Sequence, residues 1–395
     1  MWIDRSLEKQ IRKACDSRPA LLLTGARQTG KSSLLRHLYP DADYMTLDRV
    51  AIAEEAEMNP ALFLNRFSGP VILDEIQYAP SLFRELKVRI DSNRQETGRW
   101  ILTGSQRFEL MKNVSESLAG RLRILPLETL SAQELRASGF FSSSSIKDIL
   151  WKGGYPELWA TDDLESGEFF EDYVQTYLER DLKELIQVSN LRDFRRLIQI
   201  CSTRVGQLLN YADLAKHVGV SSVTIKKWVG ALETSGLIYL LPPFYANIGK
   251  RLVKAPKLYF ADSGLLCHML NLQGEAACLR SPMFGAIWEN FVFSEMIRTL
   301  PVKPGHNLFF YRDQNGVEMD FVIEMGGRLI FVEAKAAQRV DPRKLNFSKI
   351  VPLFSDRDVQ CLLMNSSAEQ SPVCLKDYFS VNPLTNELGQ IVGEG

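Results

Sequence analysis

The chain has no apolar run near the roughly 20 residues that a membrane-spanning helix needs. Its most apolar stretch, residues 237–246, is short and is interrupted by Pro242 and Pro243. The opening residues, MWIDRSLEKQIRKACDS, mix charges throughout and hold no continuous apolar segment of a secretory signal. These absences lead to the expectation of a cytoplasmic protein with no membrane partner. Cysteine is sparse: Cys15, Cys201, Cys267, Cys278, Cys361 and Cys374 are scattered, with no CxxC. They read as reduced thiols, which excludes a disulfide scaffold or a thiolate zinc framework. The histidines His37, His217, His268 and His306 are isolated from one another, so their spacing gives no metal site. Nor is there an excess of one charge. Lys and Arg total 47 against 48 Asp and Glu, a net charge of -1. That excludes a general electrostatic binder of nucleic acid and leaves room for a local basic patch.

The 395 residues, 45% hydrophobic and 24% charged, have an ordinary globular composition. The length suits two or three domains. The first 130 or so residues alternate short apolar runs with helical stretches. The runs are ALLLTG, DYMTLD, PVILDE, RWILTGS and RLRILPLETL. Leu7, Ile11 and Cys15 recur on a leading helix, and further helices are expected over residues 31–38, 50–67, 81–92 and 108–118. This alternation predicts an α/β fold with a parallel sheet wrapped on both faces over residues 1–130. Residues 131–206 read as a helical lid or linker, with SGFFSSSS as a loop and Tyr173, Tyr177 and Leu178 on one helix face. A small helical unit is expected over 207–255. A second α/β domain is expected over 256–395, its clearest strands being VEMDFVIE and RLIFVEAK.

Residues Gly25-Ala26-Arg27-Gln28-Thr29-Gly30-Lys31-Ser32, followed by Ser33, match GxxxxGK[ST] between a strand and a helix. Such a loop turns backbone N–H groups inward around phosphates, and the helix N-terminus adds partial positive charge. Lys31 is expected to reach the β- and γ-phosphates of ATP, and Ser32 to ligate Mg²⁺. The third strand carries Asp74 and Glu75 to its C-terminal end, where parallel sheets place ligands. Asp74 then holds the Mg²⁺ shell and Glu75 polarises the attacking water. The fourth strand ends in LTGS, which puts Ser105 beside the acidic pair as a sensor of the γ-phosphate. Arg121, in SESLAGR, is a candidate arginine finger for a neighbouring subunit or, equally, a surface salt-bridging residue.

GARQTGKSSLL, VILDEIQ, LTGSQ and SLAGR together resemble a family of bacterial and archaeal AAA-type ATPases. That family joins an AAA module to a C-terminal domain of unknown function. YLERDL, PKLYFADSGL and GAIWENFV fit its pattern too, so the resemblance spans nearly the whole chain. It implies ATP and Mg²⁺ as cofactors and homo-oligomers or rings, with Arg121 completing a neighbour's site.

The stretch YADLAKHVGVSSVTIKKWVGALETSGLIYLLPPF reads as helix, turn, helix and β-ribbon, in the manner of a winged helix. Gly219 makes the turn and Ser221 or Ser222 caps the second helix. Ile225, Trp228, Val229 and Leu232 face a core, leaving Ser222, Thr224, Lys226 and Lys227 outward, as a recognition helix presents its N-terminal residues to the major groove. Residues 208–257 carry a local excess of five positive charges, from Lys216, Lys226, Lys227, Lys250, Arg251, Lys254 and Lys257 against Asp213 and Glu233. DNA is the expected partner of that patch. The alternative is a docking module for a protein, its lysines merely solvated.

Glu318 and Asp320 alternate on one strand face, as do Glu333 and Lys335 on the next strand, while Glu289 interrupts an apolar helix. The pattern of Asp, then Glu-x-Lys resembles the restriction-endonuclease-like core. Carried over by position, the resemblance makes Asp320 and Glu333 metal ligands, Lys335 the catalytic lysine and Glu289 an auxiliary acid at the metal. Its alternatives are a charged strand edge or a nuclease fold kept only for binding. Function therefore stands as an ATPase acting on DNA, a nucleotide-dependent switch docking a protein, or an ATP-regulated nuclease. The aromatic pairs Phe140-Phe141 and Phe309-Phe310 read as packing rather than as base platforms.

Overall fold

In the computed structural model the described residues are 2–105, 118–139, 147–178, 191–245, 255–367, 373–375 and 378–393. The chain groups into two units, Ile3–Glu128 with Thr234–Gly236, and Met1–Trp2 with Thr129–Glu233 and Leu237–Gly395. The N-terminal unit runs α1 (Glu8–Ser17), β1 (Ala20–Thr24), α2 (Lys31–Leu38), β2 (Asp43–Thr46), α3 (Val50–Met58), α4 (Pro60–Leu64), β3 (Val71–Asp74), α5 (Ser81–Ser92), β4 (Trp100–Gly104) and β5 (Leu122–Pro126).

Its strands form one parallel sheet in the order β2-β3-β4-β1-β5. Successive side chains leave a strand on opposite faces. Ala20, Leu22, Val71, Leu73 and Leu102 therefore pack into one core with Phe63, Phe83 and Leu86. Leu21, Leu23, Ile72 and Ile101 pack into another with Ile11, Leu34 and Leu35. Because helices cover both faces, the inner strands β1, β3 and β4 are buried along their whole length without alternation, whereas the edge strands β2 and β5 are mostly half-buried or exposed. Each fully buried Leu here contributes about 1.5–3 kcal/mol. The helix expected over 50–67 is two helices. Pro60 has no N–H to donate and disfavours helical backbone in the residue before it, and Asn59 accordingly takes φ -136°. Residues 108–117 of the helix expected over 108–118 lie outside the described residues, as do 140–145 of the SGFFSSSS loop.

The second unit opens with a helical region that includes α6 (Ala132–Ala137), α7 (Asp148–Lys152), α8 (Glu157–Ala160), α9 (Ser166–Tyr173) and α10 (Leu191–Ser202). Tyr173 is buried against Tyr155 and Phe169; the side chains of Tyr177 and Leu178 lie outside the described residues. A helix-turn-helix follows, α11 (Tyr211–Val218) and α12 (Ser222–Thr234), and then the antiparallel pair β6 (Ile238–Leu241) and β7 (Lys257–Phe260). Gly219 turns the chain at φ +89°, and the Ser221 hydroxyl accepts from Thr224 N–H at 3.1 Å as the helix cap. The expected boundary at 255/256 falls inside this ribbon, whose ladder ties residues on both sides of it together.

After α13 (Ser263–Met269), α14 (Gly274–Arg280) and α15 (Phe284–Thr299) comes a mixed sheet of β8 (Leu308–Arg312), β9 (Glu318–Met325), β10 (Arg328–Lys335), β11 (Val359–Asn365), β12 (Val373–Leu375) and β13 (Tyr378–Val381). The order is β12-β13-β11-β10-β9-β8, with β9 antiparallel and β11 parallel to β10. Phe309 and Phe310 are core residues. Asn290 of α15 accepts from Phe260 N–H at 2.7 Å and donates to Phe260 O at 3.1 Å, which fastens the helix to β7. Asp262 caps α13 through Gly264 and Leu265 N–H and pairs with the buried Arg298 at 3.1 Å. The PKLYFADSGL and GAIWENFV segments thus hold this unit together.

Candidate nucleotide site and acidic cluster

The loop after β1 is set by glycine and threonine. A methyl group on Gly25 would stand 2.2 Å from the Leu127 carbonyl oxygen, and its φ is +153°, so no other residue fits there. Gln28 takes φ +60° and Gly30 φ +90° before α2 begins at Lys31. Thr29 Oγ1 donates to Ala26 O at 3.0 Å, closing the turn from inside. The Lys31 ammonium is buried in this loop and donates to Ala26 O at 2.8 Å and Gly25 O at 3.2 Å. Arg27 is half-buried and Ser33 is exposed.

Parallel register brings the acidic pair to the same end of the sheet. Asp74 Oδ1 accepts from Ser32 Oγ at 2.8 Å and also from the Thr103 hydroxyl; its Oδ2 accepts from Tyr44 OH at 2.6 Å. Glu75 stands just beyond β3 in the left-handed region, φ +54° and ψ +49°, a strained conformation for a side chain with a Cβ. Its Oε2 accepts from Ser105 N at 3.2 Å, Ser105 Oγ at 3.1 Å and the Gln77 amide. Among the described residues neither Asp74 nor Glu75 has a cationic partner within salt-bridge distance. Their charge is felt nearby: burial, and then Glu75 and Asp74, raise the carboxyl pKa of Asp48. Burial and the bond to Asp74 likewise raise the pKa of the Tyr44 phenol.

Lys31, Ser32, Asp74, Glu75 and Ser105 therefore converge. Thr103, Tyr44 and Arg5 belong with them and were not singled out from the sequence. Thr103 could have been, since LTGS carries a second hydroxyl two residues before Ser105. Arg5 gives no sequence signal; it is buried and donates to Thr29 O at 2.9 Å and Glu128 O at 2.6 Å, bracing the loop from behind. The donor set suits a polyphosphate with a hard cation: a lysine and inward loop on one side, a hydroxyl and carboxylate on the other. Arg121 is elsewhere, gripping Asp91 with Nε at 2.8 Å and a second nitrogen at 2.7 Å. Hydrogen bonds from Arg121 and Arg94 hold Asp91 down at about 2.

In α12, Ile225, Trp228, Val229 and Leu232 are buried, while Ser222, Lys226 and Lys227 are exposed and Thr224 is half-exposed. Lys250, Arg251 and Lys254 lie outside the described residues. Lys257 does not belong to the outward patch in which its charge was counted. It is 2% exposed and turns into the second unit.

There it meets the carboxylates of α15, β9 and β10. Lys257 Nζ lies 3.2 Å from Glu289 Oε1 and also pairs with Glu318. Tyr259 OH donates to Glu289 Oε1 at 2.6 Å. Lys335 Nζ bridges Asp320 at 3.4 Å and Glu333 at 3.0 Å. Asp320 Oδ2 also accepts from Ala334 N–H at 2.8 Å, and Glu333 Oε1 from Asn346 N–H at 2.5 Å. Burial and the Asp320 charge raise Glu289 to about 7, against the pull of Lys257 and Tyr259. Burial lowers Lys257, but Glu289, Asp320 and Glu318 outweigh it and raise the lysine. Asp320, Glu333, Lys335 and Glu289 are thus in one neighbourhood, though among the described residues no three His, Cys, Asp or Glu side chains are arranged to hold a metal ion.

Known protein families match the chain in three successive segments. An AAA domain model matches residues 17–136, and models of two domains of unknown function, DUF8612 and DUF4143, match residues 143–276 and 284–386. The uncharacterized proteins Rv2008c of Mycobacterium tuberculosis and Mb2031c of Mycobacterium bovis are each 33% identical over 334 residues, 84% of this chain and 73% of theirs. Among solved structures, the Walker-type ATPase paby2304 of Pyrococcus abyssi is similar over 68% of this chain and 96% of its own, with 14% identity and a TM-score of 0.45. No described helix is long and apolar enough to cross a membrane.

Proposed function

Because the chain belongs to the family of AAA-domain proteins that includes these mycobacterial relatives, we propose that it binds and hydrolyses ATP and applies the cycle to DNA. The observation that carries the first half is the convergence of Lys31, Ser32, Asp74, Glu75 and Ser105 at one end of the parallel sheet. Lys31 and the loop N–H groups would hold the β- and γ-phosphates. Ser32 and Asp74 would hold Mg²⁺, which supplies charge neutralisation at the phosphates. Glu75 orients water and takes its proton at Oε1, and Ser105 fixes the carboxylate through two donors to Oε2. The second half rests on the helix-turn-helix with Lys226 and Lys227 exposed on α12. Arg121 serves a neighbouring subunit's site only after release from Asp91.

The test is the steady-state ATPase rate with Mg²⁺, with and without DNA of several structures, using Lys31→Ala as the blank. A rate raised by one DNA form supports the reading and identifies the substrate. An unchanged rate, with no DNA binding at low salt, replaces it with a nucleotide-dependent switch that docks a protein partner.

A further inference from the structure

The acidic cluster of the second unit resembles a nuclease metal centre in its sequence pattern, yet its carboxylates already have cations. We propose that Lys257 is the built-in cation of this cluster, so that the site takes no divalent metal and serves as a joint between β7, α15 and β9.

Lys257 lies outside the Asp and Glu-x-Lys pattern and reaches the cluster from the ribbon that follows the helix-turn-helix. Its ammonium bridges Glu289 of α15 and Glu318 of β9, and it lies 5.4 Å from the centre of the Phe310 ring. Its side chain is 3% exposed, so it has no water to retreat into. A metal ion binding Glu289 or Glu318 has to displace this ammonium or sit beside it. Space is short as well. Gly206 lies so close that a methyl group in place of its hydrogen would stand 3.3 Å from both Glu289 oxygens. Tyr259 occupies one of those oxygens with its hydroxyl, and Arg312 approaches Glu318 Oε2 at 3.4 Å. On the other side Lys335 bridges Asp320 and Glu333, whose remaining contacts are the Ala334 and Asn346 N–H groups. Around Glu289 and Glu318 the donor set therefore fits an ammonium and does not fit a hydrated Mg²⁺, which keeps several waters and demands near-octahedral space, while Glu333 Oε2, which accepts no hydrogen bond, has its charge met by Lys335 at 3.0 Å.

The consequence reaches beyond the nucleotide site. The same lysine that closes the cluster ties the ribbon behind α12 to α15 and β9. This holds whether or not the N-terminal unit hydrolyses ATP.

The experiment is a Mn²⁺ titration of the full chain without nucleotide, read by the electron paramagnetic resonance signal of free Mn²⁺. Wild type and Asp320→Asn should deplete free Mn²⁺ equally through the low millimolar range. Lys257→Met should gain one binding site, lost again when Glu289→Gln is added. A wild-type site that Asp320→Asn or Glu333→Gln removes overturns the proposal. So does a folded Lys257→Met protein that binds no more Mn²⁺ than wild type. If Lys257→Met fails to fold, the comparison of wild type with Asp320→Asn still decides.

Discussion

Two places in this chain gather lysine and carboxylate, and they differ in what the carboxylates touch. At the end of the parallel sheet, Asp74 is held by the hydroxyls of Ser32, Thr103 and Tyr44, and Glu75 by Ser105 and Gln77. Neutral donors orient a carboxylate and leave its charge standing for an incoming cation. In the second unit Glu289, Glu318, Asp320 and Glu333 are bridged by Lys257 and Lys335. Charged partners orient and neutralise together. The first arrangement is prepared to bind, the second is already bound. Acidic residues at strand ends thus say little about chemistry until the sign of their neighbours is known.

Each side of this contrast can be broken. Glu75→Gln should keep nucleotide binding and lower turnover roughly 100- to 10,000-fold, the usual range for a lost general base; hydrolysis at the wild-type rate removes Glu75 from the role. Lys257→Met should cost about 3–5 kcal/mol of stability by leaving buried carboxylates unpaired. A denaturant midpoint equal to wild type would mean that the bridge contributes nothing. Lys31→Ala should weaken nucleotide binding about 10- to 100-fold, the worth of a charge-assisted hydrogen bond. Fluorescent nucleotide titration measures it.

Two smaller effects sharpen the picture. Lys226→Ala and Lys227→Ala should each lower the salt slope of DNA binding by about one unit if each neutralises a phosphate. An unchanged slope takes α12 off the DNA. The smallest effect is in pH. Glu289 is raised to about 7 from an ordinary 4.5, so between those values the folded chain holds more protons than the unfolded one. The sign follows: this contribution to stability is present below about 4.5 and is lost as pH rises towards 7. The melting temperature should fall over that window, and Glu289→Gln should flatten the fall.

Much of this was legible without coordinates. The inner strands β1, β3 and β4 were legible because both their faces are buried, which makes each an apolar run ending in polar residues, and the edge strands β2 and β5 from their place in the strand–helix alternation. The helix-turn-helix was legible from the 225, 228, 229, 232 spacing and Gly219. The break at Asn59-Pro60 was missed although proline announces it, since the apolar pattern continues across it. Thr103 and Tyr44 were missed because the hydroxyls around Asp74 come from other strands.

The sequence by itself determined the phosphate loop. Its geometry is a property of eight consecutive residues, where glycine, threonine and lysine act over one turn of chain. Only the tertiary structure decided the fate of the second cluster. Lys257 reads as one more cation in a basic stretch, and its burial reverses its meaning. The physical reason is that electrostatic pairing depends on distance through space and on exclusion of water, and separation along the chain bounds neither.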